Sequence, residues 1–291
     1  LVNIILYKSF ELSYYIFFAL DSITSSINVT ITGLNDVNKL KILIEEISNI
    51  INNSGKLFDK LSKTYINNLI ISFIDLYKNE KYLNSWNYSS NIILQNLVSN
   101  KYSNKELIKK IKNINYDIIK HYLSKILDKV ALTTFVYGNI KSSKINNLFD
   151  IFSDLFINKN NSLSKINKIT NTNNIHPNNK EKSNCITLLF PIGKFKPKKI
   201  NLINLTISIL GQHFFDDLRT KHQLGYLVRM INNTIKNKQY IIKKIQSEKS
   251  IELVESKINS FNKKMIKVIE LSDFDKFINT QKNQLNEPDY N

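Results

Sequence analysis

Residues 212–230 read QHFFDDLRTKHQLGYLVRM, and the change of rhythm inside that stretch sets the reading of everything around it. Up to Lys221 the apolar residues fall at helical spacing. From Gln223 the pattern becomes that of a strand, with Gly225 at the step. A glycine there marks a bulge or a close backbone approach. The stretch is also unusual in its cations. Lys and Arg total 41, yet arginine occurs only at positions 219 and 229. Lysine carries a mobile point charge, whereas arginine presents a rigid planar fork of donors, so something in this stretch reads as needing the fork. Arg219 near the helix end also complements the helix dipole, and Tyr226 at the strand start also serves as a packing aromatic with a polar tip.

Working outward, residues 239–247 (QYIIKKIQS) form a second strand, the hairpin neighbour of 223–231. Helices are expected over 251–271 and 273–286. Upstream, CITLLF from Cys185 is a strand and 198–221 a long helix. Residues 158–184 are polar, low in complexity and nearly free of large apolar side chains, the composition of a flexible linker; His176 within it reads as a solvated loop histidine. Before the linker, 1–20 is apolar nearly all round, a buried helix. Residues 26–36 (SINVTITGLND) alternate as a half-buried strand that Gly33 ends, and Asn35 or Asp36 can cap a helix over 37–51. Further helices are expected over 56–79, over 101–129 with a break near 113–115, and over 142–157, with a strand over 131–140 ending at Gly138. The fold class that follows is α+β, two mixed sheet-plus-helices units at 1–157 and 185–291 joined by 158–184. The second is expected to be incomplete, and the chain reads as the middle of something longer.

Composition narrows the function. A length of 291 residues suits roughly two domains of about 150 residues each, and 42% hydrophobic with 11% aromatic residues supports buried cores rather than disorder. The formal charge of +17 points to anionic partners, but the lysines are scattered and arginine is nearly absent, which argues against a nucleic-acid role. Cys185 is the single cysteine, so no disulfide framework or cysteine zinc site exists. In its apolar run it reads as a small buried hydrophobe, and a reducing, cytoplasmic setting is the expectation. Lys8 and Glu11 interrupt the apolar opening and no cleavage site follows, so no membrane association is expected.

Recognisable hydrolytic centres are missing. His121, His176, His213 and His222 stand in neither H-E-x-x-H nor H-x-x-E-H. His213 and Asp217 share a predicted helical face, a spacing that suits a local salt bridge better than a zinc pair lacking a third ligand. There is no G-x-S-x-G, P-loop or dinucleotide-binding glycine pattern, and no nucleophile–base pair. What remains is Arg219 and Tyr226, a guanidinium and a phenol converging as two donors, which is what a peptide carbonyl needs as it becomes an oxyanion. The residues alone leave this reading and the packing one both open.

The stretch LRTKHQLGYLV is similar to the LRT-x-x-QLGY signature of the insulinase-type, inverted-motif zinc metallopeptidases, the insulin-degrading enzyme and pitrilysin group. FFDDLRT upstream and KIQSEKS (residues 244–250) downstream fall where that family has a helix and an I-Q-S-E strand end. ITGLNDVNKL (residues 31–40) resembles its strand–glycine–helix step, and FVYGNI (residues 135–140) its strand ending in G-N. In order these match the family's third domain and much of its fourth, over nearly all of the chain outside 158–184.

The resemblance implies paired α+β domains whose two halves close like a clamshell around a peptide-admitting chamber. It implies zinc bound by an N-terminal half outside this chain, none bound by this chain, and peptide substrates. Arg219 and Tyr226 then look like the donors to the substrate carbonyl, and Phe215 like a substrate-contacting aromatic. His222 departs from a motif position often acidic in the family. An inactive relative that binds peptides or serves assembly shares these features and stands as the alternative.

Overall fold

The computed structural model describes residues 2–21, 26–123, 125, 132–145, 148, 150, 165–168 and 170–286. They divide into two compact units. The first comprises Leu1–Lys78 and Val98–Ile166, the second Asn79–Leu97 and Asn167–Asn291.

The first unit opens with helix α1 (Val2–Glu11). Where a single buried helix over 1–20 is expected, Ser13 takes a left-handed turn at φ 64°, and strand β1 (Tyr14–Asp21) follows. YYIFFALD is dense in aromatic residues, which suit a pleated surface better than a helix, and it finds an antiparallel partner in β2 (Ser26–Gly33), pairing Tyr14 with Gly33 and Ile16 with Ile31. Along β2 only Ser26 and Ile31 are partly buried, so Ile27 and Val29 are exposed rather than half-buried. Gly33 is needed where it stands: a Cβ would lie 2.2 Å from a Tyr14 ring carbon. The Tyr14 hydroxyl donates to the carbonyls of Leu34 and Asp36 at 2.8 Å. Asp36 caps helix α2 (Val37–Asn52), accepting from the Asn38 and Lys39 N–H groups at 3.1 Å. Leu43, Ile44, Ile47 and Ile50 of α2 pack on Ile5, Tyr14 and Ile16 to make the core.

The helix expected over 56–79 is two, α3 (Ser54–Asp59) and α4 (Lys63–Lys78), followed by a 3-10 turn Asn79–Tyr82. The break expected near 113–115 separates α6 (Asn104–Ile111) from α7 (Tyr116–Leu123). A capping box of Ser103 and Glu106 starts α6. The strand expected over 131–140 is not formed at residues 132–140, which pair with no strand and leave Phe135 and Tyr137 88% and 85% exposed; Ala131 lies outside the described residues. Of the helix expected over 142–157, α8 (Ser142–Ile145) is described, and 151–157 fall outside.

The second unit is built on an antiparallel sheet of order β3-β5-β4: β3 (Asn184–Lys194), β4 (Leu227–Ile235) and β5 (Lys238–Ser247). β4 and β5 form the expected hairpin, turning through Lys236 at φ 57°. Helices α9 (Pro197–Phe215) and α10 (Ile251–Glu270) cover one face. There Phe214, Leu218, Val228, Ile245, Val254, Ile258 and Phe261 are buried together, each contributing ~1.5–3 kcal/mol by leaving water. Helix α11 (Phe274–Asn286) follows.

Helix α5 (Ser85–Leu97) reaches the other side of β5. Lys244 there donates to the Trp86 carbonyl and the Ser90 hydroxyl and lies 4.5 Å from the Trp86 ring. The Ser89 and Thr187 hydroxyls bond at 2.7 Å. Of the polar stretch 158–184, positions 158–164 and 169 lie outside the described residues. Positions 170–183 run beside α5 and its approach: His176 Nε2 meets the Leu83 carbonyl at 2.9 Å, and its ring packs edge-on to Tyr88.

Candidate functional site

The expected helix over 198–221 changes character at its end. α9 is regular to Phe215, and Asp216–Lys221 is a π-helical turn, closed by the His222 N–H donating back five residues to the Asp217 carbonyl at 3.0 Å. Such wide turns displace side chains from their α-helical positions and recur at functional sites. The chain reverses through Gln223, at φ 49°. Leu224, fully buried, sends its N–H to the Leu218 carbonyl at 3.0 Å. Tyr226 then stands at the mouth of β4.

This reversal brings together the three residues singled out from the sequence. The Arg219 guanidinium carbon lies 4.7 Å from the Phe215 ring centre and 4.5 Å from that of Tyr226. Both are cation–π distances. Flanked by two rings, the fork has few orientations left, and its N–H edge remains free to donate. Tyr226 is 77% exposed, which keeps its phenol available at the surface. Arg229 takes no part: it projects from β4 opposite Lys244.

Gly225 explains why the step needs a glycine. A Cβ there would lie 2.0 Å from the Gln246 carbonyl oxygen of β5, so the turn presses bare backbone against the end of the I-Q-S strand. The Ser247 hydroxyl, 3% exposed, donates to the Leu224 carbonyl and accepts from the Lys249 N–H at 3.0 Å. Sequence reasoning did not single out Ser247 or this contact; the hairpin register, Leu227 opposite Gln246, is the signal that leads to them.

Of the two readings for His213 and Asp217, a local salt bridge or an exposed pair, the salt bridge between them is not formed: in the widened turn Asp217 stands 3.8 Å from His222 Nε2, while His213 approaches the Ser272 hydroxyl at 3.5 Å. Burial pushes the Cys185 thiol up. Burial among Phe190, Phe214 and Phe261 brings Lys243 down to about 8, and burial lowers Lys244 as well. As for zinc, among the described residues no three His, Cys, Asp or Glu side chains cluster as ligands.

The sheet-and-helix units have counterparts among solved structures. Two of these share the fold over almost the whole chain: pitrilysin (TM-score 0.65, 13% identity, 99% of this chain, 32% of that one) and the periplasmic protease PqqL of Escherichia coli (0.65, 9%, 96% and 31%). The family described as PQQ synthase PqqF-like, C-terminal lobe domain 4, matches residues 205–291. The insulin-degrading enzyme of Drosophila melanogaster is 26% identical over 271 residues, 86% of this chain and 26% of that protein. The putative zinc protease mug138 of Schizosaccharomyces pombe is 25% identical over 260 residues, 84% and 26%. The chain thus spans about a quarter of the length of the curated relatives it matches. Together these likenesses support the insulinase-type peptidase family, C-terminal half. Among the described residues no helix is long and apolar enough to cross a membrane.

Proposed function

We propose that this chain is the non-zinc half of an insulinase-like zinc metalloendopeptidase, forming the chamber wall opposite the zinc site and polarising the peptide carbonyl that is cut. The observation that carries the reading is the Arg219 guanidinium held between Phe215 and an exposed Tyr226. In this reading residues 1–157 correspond to the family's third domain and 185–291 to its fourth, and the setting is cytoplasmic. The metal belongs to a zinc-bearing N-terminal half, which supplies the Lewis acid and the activated water.

The work of this chain's own residues is electrostatic. The Arg219 N–H edge and the Tyr226 O–H donate to a carbonyl oxygen, and both bonds strengthen as that oxygen gains charge, so they favour the transition state over the bound peptide. Phe215 lies against the substrate beside the fork.

The test is reconstitution. Mixed with a zinc-bearing half, the chain restores cleavage of a fluorogenic peptide, whereas alone it cleaves nothing. Arg219→Ala and Tyr226→Phe each lower the restored kcat on the order of a hundredfold. A restored rate indifferent to both substitutions removes the assignment, and tight peptide binding without turnover beside any zinc-bearing half favours an inactive peptide-binding relative.

A further inference from the structure

We propose that Ser247 is a positioning residue for the Arg219–Tyr226 pair, a role that rests on the carbonyl-binding reading above. Arg219 and Tyr226 lie on different elements, a π-helical turn and the mouth of a strand, and no hydrogen bond joins their side chains among those described. Their separation is fixed through the backbone, and Ser247 sits where the fixing converges. Its hydroxyl donates to the Leu224 carbonyl. The N–H of the same Leu224 donates to the Leu218 carbonyl, next to Arg219, and two residues on is Tyr226. The Ser247 oxygen in turn accepts the Lys249 N–H, at the approach to Ser250, whose side chain caps α10 by accepting from the Leu253 N–H at 3.3 Å.

One buried hydroxyl therefore bonds the Q-L-G-Y reversal, itself bonded to the π turn, to the end of β5 and to Lys249, which leads by the backbone into the Ser250 cap of α10. Nothing else described holds the Leu224 carbonyl. With the hydroxyl gone, that buried acceptor is orphaned, and the reversal is free to lift from the Gln246 backbone on which Gly225 rests. Tyr226 moves with it. The effect on chemistry follows from geometry: a displacement of about 1 Å in such a donor can cost about a hundredfold.

Two measurements test this. Because the chain holds two arginines, arginine-selective isotope labelling gives two side-chain Nε–H signals. That of Arg219 is displaced by the ring currents of Phe215 and Tyr226, and that of Arg229 is ordinary. In Ser247→Ala the Arg219 signal moves more than halfway towards that of Arg229. In the reconstituted enzyme Ser247→Ala lowers kcat roughly tenfold or more with KM changed less than twofold. The same change in a Tyr226→Phe background costs almost nothing further, because the donor being positioned is already lost. A purely structural serine gives a full additional loss in that background. Should Ser247→Ala fail to fold, Ser247→Cys, close in volume with a weaker donor, carries the same comparison. An Arg219 signal unmoved by substitution of Ser247, or additive losses in the double variant, overturns the proposal. Rates indifferent to Arg219→Ala and Tyr226→Phe overturn the carbonyl reading instead, and leave the spectroscopic comparison standing.

Discussion

Lys243 sits 3% exposed, with its ammonium between the Phe190, Phe214 and Phe261 rings and against Asn262 and Met265. No carboxylate is bonded to it among the described residues, and replacing it with methionine is expected to stabilise the second unit at neutral pH. The size follows from proton affinity. Burial takes Lys243 from an ordinary 10.5 to about 8, and each factor of ten is ~1.4 kcal/mol. Keeping the charge inside at pH 7 therefore costs ~3 kcal/mol, partly offset in a real substitution by losing the Asn262 bond, so Lys243→Met should gain ~1–3 kcal/mol.

The sign with pH is definite. The folded affinity for the proton is lower than the unfolded one, so between pH 8 and 10.5 the unfolded chain holds more protons at this site, and stability rises with pH across that window. Lys244 adds a slope of the same sign and the raised Cys185 thiol one of the opposite sign, so the difference between variant and parent isolates Lys243. Trp86, the single tryptophan, packs on Lys244 in this unit and reports its unfolding by fluorescence. Urea melts at pH 7, 8, 9 and 10 should show the advantage of Lys243→Met shrinking steadily above pH 8. A destabilised variant at pH 7, or an advantage independent of pH, refutes the reasoning.

Other substitutions probe the site and the first unit. Gly225→Ala places a Cβ against the Gln246 carbonyl, where only backbone can yield; a loss of about 1–3 kcal/mol should appear in the Trp86 melt, together with the disappearance of the displaced Arg219 signal. Arg219→Lys retains the charge but not the planar fork, so its restored peptidase rate should lie nearer that of Arg219→Ala than that of the parent. Asp36→Ala removes two accepted N–H bonds at the start of α2 and should cost about 1 kcal/mol in a circular-dichroism melt, with peptidase kinetics at 25 °C unchanged.

Local signals served where the local pattern and the tertiary environment agree. A cap at Asn35 or Asp36, the break between α6 and α7 and the β4–β5 hairpin were readable because turn residues carry them, whereas Phe215 beside Arg219 and Tyr226 was indicated only by the family resemblance. Residues 14–21 were misread because an all-round apolar run suits a buried helix and a strand equally, and only the pairing with β2 decides between them. The strand expected at 131–140 had the right composition, but no partner strand pairs with residues 132–140. The π turn is not legible because DDLRTK continues the helical periodicity, and the Leu224 N–H bond to the Leu218 carbonyl beside it is made only after the chain has reversed. Ser247 was hidden for the same reason, being meaningful only once the hairpin register sets it beside Leu224.

The chain path of the second unit bears on the order of folding. Residues 79–97 belong to it although 98–166 return to the first, and Lys244 reaches back 154 and 158 positions for its partners Ser90 and Trp86. During synthesis α5 emerges long before the strands it will cover, and it must wait while the intervening chain is made. Loop closure over such a span is slow relative to local helix formation. The packing of α5 on β5 therefore follows completion of the sheet, and a piece starting at residue 185 would leave Lys244 facing water where Trp86 belongs.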